Sequence, residues 1–287
     1  MGTKRPNYML IGASKCGTSS ICNHLSQHPD VFMVECKEPQ FFSIDAVYER
    51  GIAWYESLYA ATSGEKMIGE GSNTYTMKEV FPHTISRIVD YVPDLKLIYC
   101  VRDPIKRIES YWLEKRAHGG ETVHYDFNQA VKVNRDWLVD SSNYWQQISP
   151  YRNFFPDHNI HIIFFEDFIR DPQKTMSQCF EFLGVDPAIA LNDSELRVGK
   201  TDGRLAPRET LSKLRSYELF RVAAKLVPES LREALKRRFL FKPIQDRPQW
   251  HPQTRAWVAD ILEKDTEQFL AFYHKPTNFW QLRADET

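Results

Sequence analysis

Apolar residues fall into two kinds of spacing along the chain. Three short runs, Tyr8 to Ile11, Lys96 to Val101 and Ile160 to Phe165, are almost continuously apolar and bounded by polar or Gly/Pro positions, as strands buried on both faces are. Met67 to Glu70 is a possible fourth. Between these runs, Thr18 to His28, Gly51 to Thr62, Pro104 to His118, Ser142 to Phe155 and Pro172 to Leu183 carry apolar residues at mixed spacings of three and four, which predicts amphipathic helices. Strands alternating with helices of this length predict an α/β fold with a central parallel sheet flanked by helices. From Pro207 onward the pattern is helical with no convincing strand, and Pro243, Pro248 and Pro252 interrupt it. The expected organisation is one domain over residues 1–287, with an α/β core over about 6–206 and a helical C-terminal appendage over about 207–287.

Composition narrows the function classes. With 42% hydrophobic and 26% charged residues among 287, the chain has the makeup of a globular protein rather than a disordered one. Lys plus Arg total 37 against 38 Asp plus Glu, a net charge of -1, which removes a global electrostatic case for nucleic acid. The basic run Arg232, Lys236, Arg237, Arg238 and Lys242 reads as a solvated helix face. Five cysteines without a CxxC pair fit neither a disulfide framework nor a structural zinc site, and predict a reducing, cytoplasmic compartment. No run of 18 apolar residues is present to span a membrane, and the polar Met1 to Pro6 leaves no room for a signal peptide. Nine histidines include no HExxH or paired Cys/His spacing, so no metal is expected. None of this fixes an oligomeric state.

The chemistry concentrates in Tyr8 to Ser20, where a strand runs into Gly12-Ala13-Ser14-Lys15-Cys16-Gly17-Thr18-Ser19 and then a helix. Glycines permit tight turns, and loop and first-turn N–H groups point at an anion with the helix dipole behind them. The nucleotide-kinase loop GxxxxGK[ST] puts its lysine after the second glycine; here Thr18 takes that place and the lysine sits inside the loop as Lys15. A second segment, Cys100-Val101-Arg102-Asp103-Pro104 with Ser110 eight residues past the arginine, ends a strand and opens a helix: Asp103 can cap and Pro104 suits the first helical position. Arginine and serine donors together suit a dianionic phosphate.

On these motifs the sequence resembles the PAPS-dependent sulfotransferases, PAPS being 3′-phosphoadenosine 5′-phosphosulfate, nearest their heparan-sulfate-type branch and in the manner of a soluble bacterial member. The resemblance implies that Lys15, Cys16, Gly17, Thr18 and Ser19 hold the 5′-phosphate, with Lys15 at the bridging oxygen, and that Arg102 and Ser110 grip the 3′-phosphate. Lys37-Glu38-Pro39-Gln40-Phe41-Phe42 is similar to the segment that supplies the family's catalytic carboxylate, which makes Glu38 the implied general base and Lys37 its neighbour. Gly69-Glu70-Gly71-Ser72-Asn73-Thr74-Tyr75 resembles a segment lining the acceptor side, and offers Glu70 and Ser72. Gly199 to Arg204 resembles the late loop that closes over the nucleotide, with Lys200, Gly203 and Arg204 as contacts. The cytosolic small-molecule members use a histidine base, which keeps His118 and His124 as acceptor-side alternatives.

The expected activity is transfer of the sulfuryl group of PAPS to a hydroxyl, or else an amine, of a small-molecule or carbohydrate acceptor. It yields 3′,5′-ADP without a metal, in secondary-metabolite or glycan modification. Neutral charge favours a small alcohol over a charged polysaccharide. No nucleic-acid or membrane partner is expected. Two rivals remain: a P-loop metabolite kinase, which predicts magnesium-dependent ATP binding, and a non-catalytic nucleotide-binding protein.

Overall fold

The computed structural model describes residues 5–35, 38–117, 123–191, 205–207, 241–243 and 248–284. Five parallel strands form the central sheet: β1 (Tyr8–Gly12), β2 (Val31–Met33), β3 (Met67–Gly71), β4 (Lys96–Val101) and β5 (Ile160–Phe164), in the order β2-β3-β1-β4-β5. The chain leaves β1 toward one edge through β2 and β3, then crosses to the other side at β4. The crevice outside the strand ends at such a reversal is where open α/β sheets bind ligands.

The sheet is covered by helices, as the alternation of patterns predicts. α1 (Thr18–Ser26) follows β1; α2 (Asp45–Tyr48) and α3 (Ile52–Ser57) lie between β2 and β3; α4 (Thr84–Tyr91) precedes β4. α5 (Pro104–Ala117), α6 (Phe127–Val133), α7 (Arg135–Leu138) and α8 (Tyr144–Arg152) fill the long connection to β5. α9 (Phe165–Arg170) and α10 (Pro172–Leu183) follow it, and α11 (Pro252–Phe272) returns late in the chain. β1, and β4 after its opening Lys96, are apolar because both faces are covered, and every residue of β1 is buried.

Two sequence expectations need correction. The stretch after Pro207 was expected to hold no strand, yet β6 (Leu205–Pro207) pairs antiparallel with β7 (Phe241–Pro243). Three-residue strands carry too few positions for an alternating pattern, and each ends in a proline, which is confined to sheet edges. The β5 run also stops one residue early, because Phe165 opens α9. The expected C-terminal helix is present as α11 and packs on the core: Val258, Leu262, Phe269 and Leu270 are fully buried, and Asp265 caps α8 by accepting the N–H groups of Trp145 and Gln146 at 3.0 and 2.7 Å.

Candidate active site

The glycine loop leaves β1 at Gly12 and enters α1 at Gly17. Both glycines have positive φ, 142° and 82°, and neither position has space for a side chain: a Cβ at Gly12 would meet Thr76 Oγ1 at 2.2 Å, and one at Gly17 would meet the Phe165 ring at 2.8 Å. Gly17 is the N-cap of α1 and offers no side-chain cap to the first-turn N–H groups, which leaves that end suited to an exogenous anion. Thr18 is buried in this first turn, whereas Lys15 arches over the loop with φ 72°. The Cys16 thiol points inward, 3.8 Å from Tyr144 Oη, and burial pushes its pKa up, so that Cys16 offers the site backbone only.

α5 supplies the opposite wall. Asp103 caps it, accepting the Ile105 and Lys106 N–H groups at 2.9 and 3.1 Å, while Asp103 N–H is fixed by Glu166 at 2.8 Å. Arg102, just before the helix, reaches back to the Lys15 carbonyl at 3.3 Å and lies 4.7 Å over the Phe165 ring, and Tyr144 Oη donates to the Arg102 carbonyl at 2.7 Å. Ser110 stands two turns on, nearly buried. Further along the same helix, Glu114 forms an ion pair with the Lys15 ammonium.

Sequence reasoning missed Arg107. Its guanidinium is 1% exposed and donates to the Ser14 carbonyl at 3.0 Å and to the hydroxyls of Ser141 and Ser142 at 3.0 and 2.6 Å. The loop is thereby bolted to α5 and to the turn before α8. The available signal was the spacing of three, four and seven residues from Arg107 to Ser110, Tyr111 and Glu114, which sets all four on one helix face.

Glu38 lies in the connection after β2, half-buried, with φ 67°; Gln40 follows at φ 55°. Both Glu38 carboxylate oxygens accept hydrogen bonds, Oε1 from the Asn73 amide at 2.6 Å and Oε2 from the Gln40 amide at 3.3 Å. Glu38, Gln40 and Ser14 line one cavity of about 340 Å³ with Glu114, Lys115, Tyr111 and the apolar walls Phe81 and Trp137. Loop, carboxylate and ion pair therefore converge.

Other expected residues fall elsewhere. Glu70 and Ser72 are fully buried beneath the Glu38 segment and do not line this cavity. His124 is exposed at the start of α6, where its ring accepts the Asp126 N–H at 3.1 Å. Lys37, His118, Lys200, Gly203 and Arg204 lie outside the described residues. Among the described residues no cluster of three or more His, Cys, Asp or Glu side chains is grouped to hold a metal, and no helix is long and apolar enough to cross a membrane.

A parallel sheet with a glycine-turned loop at a helix N-terminus defines an α/β protein of the phosphate-binding kind. The sulfotransferase domain family matches residues 5–202, and the chain belongs to that family, the PAPS-dependent sulfotransferases. Human heparan sulfate glucosamine 3-O-sulfotransferase 3B1 is 28% identical over 250 residues, covering 84% of this chain and 62% of that protein. Human heparan sulfate glucosamine 3-O-sulfotransferase 6 is 29% identical over 185 residues, 63% of this chain and 52% of that protein. The chain spans less than two thirds of the length of these curated relatives. The solved sulfotransferase from Alicyclobacillus acidocaldarius shares the fold, with a TM-score of 0.68 at 23% identity, covering 95% of this chain and 97% of that one.

Proposed function

We propose that this protein transfers the sulfuryl group of PAPS to a hydroxyl of a small-molecule or carbohydrate acceptor and releases 3′,5′-ADP. The observation that carries the reading is the shared cavity: Ser14 of the glycine loop and Glu38 line it together, with Lys15 tethered at its edge through Glu114. The uncapped first turn of α1, the Lys15 ammonium and the Arg102 guanidinium supply the donors that a nucleotide with two phosphorylated positions requires. Bound PAPS supplies an activated sulfuryl group on a phosphate leaving group.

Each residue then has a defined task. Lys15 neutralises the charge that gathers on the leaving phosphate, and the first turn of α1 orients that phosphate. Arg102 and Ser110 select the 3′-phosphate. Glu38, held by Asn73 and Gln40, accepts the acceptor's proton as its oxygen attacks. Phe81, Trp137 and Tyr111 offer the acceptor a flat apolar wall. Relatives named 3-O-sulfotransferases support a hydroxyl over an amine as acceptor. A net charge of -1 and two cavity carboxylates favour an acceptor that is not a polyanion.

Calorimetric binding of 3′,5′-ADP against ADP and ATP, with and without magnesium, tests the nucleotide; PAPS consumption across an acceptor panel tests the chemistry. Magnesium-independent preference for 3′,5′-ADP is expected, and preference for magnesium-ATP would install the kinase reading instead. Bound but never consumed PAPS would favour a non-catalytic role. Lys15→Ala and Glu38→Gln should each lower turnover by about 10²–10⁴, and only Lys15→Ala should clearly weaken 3′,5′-ADP binding. Full activity in either variant refutes the role given to that residue.

A further inference from the structure

Beneath the Glu38 segment lies a carboxylate that the proposed chemistry does not use. Glu70 on β3 is fully buried, and its hydrogen-bond partners are hydroxyls: Tyr75 donates at 2.6 Å, Ser72 at 2.8 Å and Tyr55 at 3.4 Å, with Tyr59 donating in turn to Tyr55 at 2.8 Å. Burial pushes its pKa up to about 7, and the three hydroxyls pull the other way. A carboxylate held this way costs the fold stability that an apolar residue would not.

Two of those hydroxyls also accept from a backbone amide of the segment that follows Glu38. Gln40 N–H donates to Ser72 Oγ at 2.9 Å, and Phe42 N–H donates to Tyr75 Oη at 3.5 Å. A hydroxyl has one proton. Once that proton is directed to the carboxylate, the oxygen's lone pairs face the amide. When ionised, this single buried acceptor thus sets the polarity of two relays, one from each of its oxygens, into alternate residues of the segment.

The segment requires such anchoring. Glu38 and Gln40 both have positive φ, a conformation that disfavours side-chain-bearing residues, and Pro39 between them contributes no N–H. The turn after β3 adds side-chain contacts in the same register: Asn73 holds the Glu38 carboxylate, and Thr74 Oγ1 bonds Ser43 Oγ at 2.7 Å. We infer that Glu70, acting through the Ser72 and Tyr75 hydroxyls, is a positioning residue that fixes the backbone carrying Glu38 and so sets where the proposed general base points. This rests on the sulfotransferase reading of Glu38.

Ser72→Ala and Ser72→Thr, each alone and in the Glu38→Gln background, test it on the full-length chain. Ser72→Ala is expected to lower kcat about ten- to a hundredfold while 3′,5′-ADP affinity stays within about twofold; Ser72→Thr, which keeps the hydroxyl, should recover most of the loss. In the Glu38→Gln background Ser72→Ala should add little, because its effect passes through Glu38. Glu70→Gln should mimic Ser72→Ala in kcat, provided circular dichroism shows it folded. Unchanged kcat in Ser72→Ala with an active wild type overturns the inference alone. An equal, additive loss in both backgrounds also overturns it, since that marks a merely structural role. Absence of PAPS turnover in the wild type overturns the sulfotransferase reading first, and the inference with it.

Discussion

Replacing Arg107 with methionine removes the guanidinium while keeping an unbranched apolar stem on α5. Three hydrogen bonds from a charged donor, at about 1.5–3 kcal/mol each, bound the loss above at roughly 9 kcal/mol. Two considerations reduce it. Ser141 and Ser142 also donate to the Trp137 and Leu138 carbonyls, so their hydroxyls keep a partner when the arginine is gone. Removing a buried cation also recovers several kcal/mol of desolvation. The Ser14 carbonyl keeps only the weak Cys16 thiol at 3.7 Å, so losing the guanidinium there costs at most about 1–3 kcal/mol, and that bounds the expected fall in unfolding free energy. The functional effect should exceed the structural one, because Ser14 belongs to the glycine loop and a released carbonyl lets the loop relax. Urea unfolding measures the first and 3′,5′-ADP calorimetry the second, with an expected ten- to hundredfold weakening. Unchanged nucleotide affinity in a folded Arg107→Met protein would refute the bolt assigned to this arginine.

Two other perturbations have worked signs. Glu114→Gln releases Lys15 from a partly exposed ion pair, so 3′,5′-ADP should bind about two- to fivefold tighter, and calorimetry in the Lys15→Ala background should abolish the gain. Folded Glu70 keeps its proton to about pH 7, whereas the unfolded chain releases it near 4.5; between these values the folded state binds the extra proton and stability falls as pH rises. Referenced to Glu70→Gln, the unfolding free energy of the wild type should drop by about 3 kcal/mol from pH 4.5 to 7, while Asp265 and His161, shifted by burial up to about 6 and down to about 4, cancel in the difference. A flat or rising difference curve would contradict the burial of that carboxylate.

Long periodic segments were legible where one environment governs the whole run. β4 and α10 begin and end where the apolar pattern does, since β4 is sealed on both faces and α10 has Asp171 as N-cap and Gly184 as left-handed C-cap. β2 was missed: three residues at a sheet edge cannot show a period. α4 was missed although Ile85, Ile88 and Val89 have helical spacing, because its first residues follow a proline-histidine turn that reads as loop. In the candidate site, the glycine loop was readable because its geometry is local to one strand and one helix. Arg107 was not, since an arginine within an amphipathic pattern defaults to the solvent face and only distant serines make its burial tolerable. Glu70 and Ser72 were singled out by resemblance as acceptor-side residues, but their burial depends also on Tyr55 and Tyr59 of a distant segment, which no spacing within 69–75 reveals.

The late return of α11 has a consequence for how the chain is made. The last strand of the central sheet ends at Phe164, whereas the helix whose Phe269 packs against Tyr144 and Phe164 begins at Pro252 and is followed by Trp280 on the same aromatic cluster. During synthesis from the N-terminus, all five strands are made well before α11 exists to cover the Tyr144 and Phe164 rings. The nascent protein must therefore carry these rings without their α11 partner until that helix is made, and the helix also delivers Asp265 to the start of α8, just beyond the serines that grip Arg107. The packing around Arg107 is thus completed only once α11 has been made, long after the glycine loop that this arginine steadies.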